Sequence, residues 1–268
     1  MTNILQKIVA YKKEEITERR RQTSISQLEA LPLFDRVPHS ARTWLLDPAK
    51  SGIIAEHKRR SPSKGVINED VEVETVAQGY HQAGASAISV LTDSPSFGGA
   101  DEHLRRARAV VNCPLLRKDF TLDEYQLYEA KALGADLILL IAAILEPSET
   151  NTLARKAKEL GLSVLLEVHD QDELSAHANE FVDLLGVNNR NLRTFEVDVQ
   201  TSLRLAPGIS PEFIKVSESG ISELSTIRRL QEAGFQGFLI GENFMKTPDP
   251  GAACRAFIHE LKKDKTHA

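Results

Sequence analysis

The sequence has little cysteine and no long apolar run. Its 268 residues include two cysteines, Cys113 and Cys254, in no CxxC or Cys/His grouping, so no disulfide framework and no zinc site are read from them and a reducing compartment is expected. No apolar run approaches the roughly 20 residues that span a bilayer. The amino end, MTNILQKIVAYKKEEITERRR, mixes charge throughout and has no apolar core of secretory length. Positive charge is not in excess: the formal net charge is −5, which argues against a nucleic-acid partner. The basic clusters at Arg19, Arg20, Arg21 and at Lys58, Arg59, Arg60 have no interleaved aromatics. The fingerprint GxGxxG of an open dinucleotide-binding sheet is also missing. These absences lead to the expectation of a cytoplasmic protein with no membrane contact, no nucleic-acid partner and no zinc site.

What is present is material for a large core, with 41% hydrophobic and 26% charged residues. The first segment reads as an amphipathic helix, because Leu5, Ile8, Val9, the aliphatic stem of Lys12 and Ile16 recur at helical spacing. A shorter segment, ISQLEALPLF, leads through Pro32, Pro38 and Pro48 to the first strand. Residues 1–48 are therefore read as a helical extension, placed to cover one mouth of the main unit, residues 49–268.

From Ile53 the chain repeats one pattern. The run IIAEH is followed by ASAISVLT, CPLLRKDF, DLILLIAAI, LSVLLEVHD, VDLLGVNNR, FIKVSES and GFLIGENF, each pair separated by a stretch of helical period. Gly84, Gly134, Gly161 and Gly234 stand just past helical runs, as left-handed caps do. Consecutive strand–helix units of this number imply an α/β fold, a closed (β/α)8 TIM barrel within a single domain of about 250 residues.

In such a barrel the functional site is assembled where strands end. The stretch IIAEHKRRSPSKG puts Glu56 and Lys58 at the end of an apolar strand, two residues apart and so on one face. Ser61 to Gly65 then supply hydroxyls, a cation and a flexible turn suited to a phosphate or carboxylate. The same residues also fit a plain strand followed by a solvated basic loop. Further strand ends carry Lys118, Glu167, Asn188, Arg190, Glu218, Ser219, Gly220 and Gly241. One strand-end charge alone is commonly an ordinary ion pair, but convergence of this set on one rim suits an anionic substrate needing acid and base chemistry. Gly220 and Gly241 fall after strands seven and eight, where barrels bind phosphate through backbone N–H groups and a short helix; both also fit tight turns.

These motifs in order, IIAEHKRRSPSKG, LLRKDF, LLEVHD, GVNNRNLRTFEVD, SESGIS and FLIGENFM, resemble the indole-3-glycerol phosphate synthase family of tryptophan biosynthesis. The resemblance implies closure of 1-(2-carboxyphenylamino)-1-deoxyribulose 5-phosphate to indole-3-glycerol phosphate with loss of carbon dioxide and water, without metal or cofactor. It also implies roles: Lys118 as general acid, Glu167 as general base, Lys58 as anion-holding lysine oriented by Glu56, and Asn188 and Ser219 as positioning groups. Arg190 would pair with the anthranilate carboxylate, and Glu218 joins the substrate-binding set. Ser61, Gly220 and Gly241 would hold phosphate, and Phe97 and Phe120 would wall the aromatic ring, although each also fits plain packing. Glu242 departs from relatives that carry serine after the glycine, which puts a side-chain hydroxyl contact there in doubt. Because an unperturbed lysine is a weak acid near neutrality, burial and neighbouring cations are expected to lower the pKa of Lys118. The partner expected is a small phosphorylated anion, bound by a monomer or weak homo-oligomer. Two other readings remain open at this stage: a phosphoribosylanthranilate isomerase-like barrel enzyme, which does not require the EHK and LRKDF pairings, and a catalytically silent barrel used as a binding scaffold.

Overall fold

Strands covered on both faces read as continuous apolar runs, and eight of them form the wall of the molecule in the computed structural model. They are β1 (Ile53–His57), β2 (Ala87–Leu91), β3 (Leu115–Lys118), β4 (Leu137–Ile141), β5 (Ser163–Val168), β6 (Leu184–Asn188), β7 (Ile214–Glu218) and β8 (Gly237–Ile240). The structure describes residues 4–192 and 194–265. Arg193 of the GVNNRNLRTFEVD motif, and the ends of the expected extension and barrel segments, lie outside the described residues. Each strand pairs in parallel with its sequence neighbours, and β1 closes the ring on β8 through Ala55 opposite Ile240. The fold is thus the (β/α)8 barrel expected from the sequence.

Alternation along the strands divides the core in two. Ile54, Leu116, Leu139, Leu165, Val216 and Leu239 fill the barrel interior, while Ile53, Ile88, Leu115, Leu140, Val164 and Phe238 pack outward with the surrounding helices. Gly84, Gly134, Gly161 and Gly234 close four of the helices with positive φ, a conformation that carries no Cβ penalty at glycine.

Three helices precede β1: α1 (Ile4–Gln22), α2 (Ile25–Glu29) and α3 (Ala41–Leu46). The sequence reading differs from the structure in two respects here. The segment reaches both mouths, not one. Ile4, Leu5 and Ile8 of α1 line the cavity at the carboxyl ends of the strands. Toward the amino ends, the His39 N–H donates to Asp136 Oδ1 at 2.6 Å just before β4, and Arg42 donates to the Glu212 carbonyl just before β7. The second difference is Lys12, which contributes more than its stem. It is 1% exposed, and its ammonium group sits 2.9 Å from each of Glu15, Asp93 and Asp119. A cation that far from water persists only when charge-paired, so this lysine ties α1 to the turns after β2 and β3.

Candidate active site

Continuing each interior face past its last apolar residue exchanges hydrocarbon for charge. Two residues beyond Ile54, Leu116, Leu165, Val216 and Leu239 stand Glu56, Lys118, Glu167, Glu218 and Gly241, and Lys58 follows Glu56 at the same spacing. They meet in a cavity of about 680 Å³ at the carboxyl-end rim, which also takes in Ser61, Phe97, Phe120, Asn188, Arg190, Ser219 and Gly220. All thirteen residues singled out from the sequence therefore line one cavity.

Lys118 is the hub. Its Nζ lies 2.7 Å from Glu218 Oε2 and 3.3 Å from Glu167 Oε2. Asn188 Nδ2 donates to the other Glu167 oxygen, Oε1, at 3.0 Å. A second lysine–carboxylate pair stands beside them, with Lys58 Nζ 2.7 Å from Glu56 Oε1. Glu56, Glu167 and Glu218 are all buried.

The charge balance reverses one expectation. Burial opposes the Lys118 ammonium, but Glu218, Glu167 and Glu56 outweigh it and raise its pKa well above the usual lysine range. The neighbours are anions, not the cations anticipated. Burial likewise opposes ionisation of Glu167, and there the Lys118 ammonium, His169 and Asn188 prevail and hold the carboxyl well below its ordinary range. For Glu218, burial and the nearby carboxylates prevail over Lys118 and push the carboxyl up to about 7. Two adjacent carboxyls thus differ in proton affinity, the arrangement by which one site supplies both acid and base.

The loop residues complete the chamber. Phe97 and Phe120 stand with centroids 6.1 Å apart and planes tilted by 36°, and α1 adds its aliphatic side chains to the same lining. The Arg190 N–H donates to Asn188 Oδ1 at 3.0 Å, and its Nη1 donates to the Phe195 carbonyl at 3.2 Å. Ser61 Oγ is 3.4 Å from Ser63 Oγ. Ser219 and Gly220 both take left-handed φ, at 68° and 75°, which turns the chain sharply after β7. A Cβ on Gly220 would come 2.4 Å from Val197 Cγ1, and one on Gly241 would come 2.5 Å from Glu56 Oε1. Gly241 is therefore required by close packing against the carboxylate and not by its φ. Glu242, the departure noted in the sequence, turns to Lys64, 3.5 Å from its Nζ.

Sequence reasoning missed Lys12, His169 and Glu173, whose Oε2 lies 3.1 Å from His169 Nδ1. His169 was within reach, since it stands two residues past Glu167 in LLEVHD and so on the same face; Lys12 had no such signal, because two of its three partners, Asp93 and Asp119, are supplied by distant turns.

Comparison with known proteins places the chain in a family. The family model described as indole-3-glycerol phosphate synthase matches residues 5–257. The chain belongs to the indole-3-glycerol phosphate synthase family. Curated relatives of that name include one from Bacteroides thetaiotaomicron, 48% identical over 98% of this chain and 100% of the relative. Another, from Azoarcus sp., is 46% identical over 96% of this chain and 100% of the relative. Solved structures with the same fold include 3-hexulose-6-phosphate synthase from Salmonella typhimurium, at 13% identity and TM-score 0.61 over 79% of this chain and 98% of that one. KGPDC from Streptococcus mutans is similar at 13% identity and TM-score 0.59, over 79% and 97%. At that identity the two structures speak for the barrel alone, whereas the family match spans every strand-end residue from Glu56 to Gly241.

Proposed function

We propose that this protein is an indole-3-glycerol phosphate synthase, a carbon–carbon lyase of tryptophan biosynthesis. It closes 1-(2-carboxyphenylamino)-1-deoxyribulose 5-phosphate to indole-3-glycerol phosphate and releases carbon dioxide and water. The observation that carries the reading is the Glu167–Lys118–Glu218 contact at the strand-end rim of a family member. It supplies a protonated amine and an ionised carboxylate within one cavity.

The chemistry follows from those groups. Attack of the aromatic ring on the substrate ketone builds negative charge on the carbonyl oxygen, and Lys118 donates the proton that quenches it. Its carboxylate neighbours favour the protonated amine, so the proton is held in place until the developing alkoxide, a strong base, takes it. The iminium formed by ring closure is the electron sink for decarboxylation. Dehydration then needs a proton removed from carbon, by Glu167, and a proton given to the departing hydroxyl, for which Lys58 beside Glu56 is the second donor. Arg190 takes the anthranilate carboxylate and Asn188, Ser219 and Glu218 orient the substrate. Phe97 and Phe120 flank the aromatic ring. Phosphate binds at Ser61 and the backbone of Gly220 and Gly241, within reach of Lys58.

We read residues 1–48 as an extension packed on the barrel of residues 49–268 in a single domain, a division supported by the Lys12 ion pairs to Asp93 and Asp119. The partner is a small phosphorylated anion bound by a monomer or weak homo-oligomer in the cytoplasm. Among the described residues no helix is long and apolar enough to cross a membrane. The test is direct assay: purified protein with this substrate is expected to produce indole absorbance and fluorescence, with inorganic phosphate competing. Absence of product, or conversion of phosphoribosylanthranilate instead, contradicts the reading.

A further inference from the structure

Behind Glu167 lies a pair of side chains that the mechanism above leaves idle. Asp170 caps the helix Gln171–His177 and accepts the Glu173 N–H at 2.9 Å, which sets Glu173 in the first turn. From there Glu173 Oε2 reaches back to His169, accepting its backbone N–H at 2.7 Å and lying 3.1 Å from its Nδ1. With Nδ1 occupied, the opposite nitrogen of the ring is aimed into the active site. His169 Nε2 is shielded from water, makes no formed hydrogen bond, and lies 3.4 Å from Glu167 Oε1. That oxygen is the one bound by Asn188, while Oε2 is turned toward Lys118.

We propose that His169, steadied by Glu173, is the positioning residue for Glu167, holding Oε1 so that Oε2 is the oxygen that exchanges the proton. The proposal rests on the reading of Glu167 as the base that takes the proton from carbon in the dehydration step. The charged groups that face His169 are Glu167, two residues before it, and Glu173 of the following helix; burial opposes the imidazolium, but the two carboxylates raise the pKa to about 10. Glu167 is faced by Lys118 from β3 and by His169, with the Glu218 carboxyl of β7 close by. This arrangement answers a problem internal to the mechanism. When Lys118 gives its proton to the substrate, Glu167 loses the positive charge of its nearest lysine. A second cation on the far oxygen keeps the carboxylate ionised and in place through that step, as the group behind a catalytic residue does in other acid–base sites.

The experiment compares His169→Leu, His169→Gln and Glu173→Gln with wild type in kcat, KM, thermal stability and the pH profile of kcat. His169→Leu is expected to lower kcat by up to about 10²-fold, the loss that follows small misplacement of a reacting group, with KM unchanged. Its acid limb should move toward neutrality, because a carboxylate that loses a cationic neighbour keeps its proton to higher pH. His169→Gln returns a donor to Oε1 without the charge, so kcat on the plateau recovers while the limb stays shifted; Glu173→Gln shifts the limb less. Wild-type kcat with an unmoved limb in both His169 variants overturns the proposal. So does a loss of kcat that is uniform across pH and accompanied by a lower melting temperature in both. If His169→Leu does not fold, the limb of His169→Gln decides alone. Glu167→Gln is assayed alongside: normal turnover there shows that the base assignment has failed, independently of His169.

Discussion

Lys58 and Lys118 are the same residue type on one rim, and what separates them is company. Lys58 has one carboxylate, Glu56, at 2.7 Å, and stands beside the loop of Ser61 that is proposed to hold phosphate. Lys118 has Glu218 and Glu167 in direct contact. A cation that meets a ground-state anion contributes to binding and to the barrier alike. Lys58→Ala is therefore expected to raise KM as well as lower kcat. Gly220→Val belongs to the same test of anion binding, because a β-branched residue at φ 75° is strained and its Cβ would strike Val197; it should raise KM and weaken competition by inorganic phosphate. An unchanged KM in both variants removes the phosphate assignment. At this scale the sequence told which residues would meet but not what charge each would feel. Glu56, Glu167 and Glu218 were legible because strand alternation fixes direction. The direction of the Lys118 pKa shift was not, because its strongest partner, Glu218, is 100 residues away in the chain.

Elements show the same division. The eight strands were readable as apolar runs, and the four glycine caps as breaks between helix and strand. The role of α1 was only half readable. Its Ile8 and Ile16 stripe announced a packed helix, yet only the stem of Lys12 entered that stripe, and its ammonium found a role once the turns after β2 and β3 brought Asp93 and Asp119 to it. Asp93 also caps the short helix Ser94–Phe97 and accepts the Tyr11 hydroxyl at 3.0 Å, so α1 supports the turn that carries Phe97. Asp119 stands between Lys118 and Phe120. Removing Lys12 takes the ammonium from two buried carboxylates, leaving Asp93 with the Tyr11 hydroxyl and the Ser96 N–H and Asp119 with Thr92 and the more distant Arg117; breaking a buried pair in this way typically costs about 3–5 kcal/mol. Lys12→Met should lose stability in that range by urea unfolding, with loss of activity under conditions where the variant remains folded. A variant as stable as wild type indicates that water replaces the ammonium and that α1 is not an anchor.

For the whole molecule, the division of labour is that of a barrel whose hydrocarbon interior ends in a layer of ionisable groups. The apolar layers hold the strand ends rigid, and the charged layer is affordable there because every acid faces a base. That balance makes the central claim sharp: Lys118 gives its proton to the developing alkoxide and adds little to substrate binding, since its charge is already taken up by Glu167 and Glu218. The most direct measurement is single-turnover formation of the indole product by Lys118→Ala, with substrate affinity measured in parallel. Loss of general-acid catalysis predicts a rate lower by about 10²- to 10⁴-fold with near-normal affinity. Near-normal single-turnover chemistry in Lys118→Ala contradicts the account and moves the donor role to Lys58.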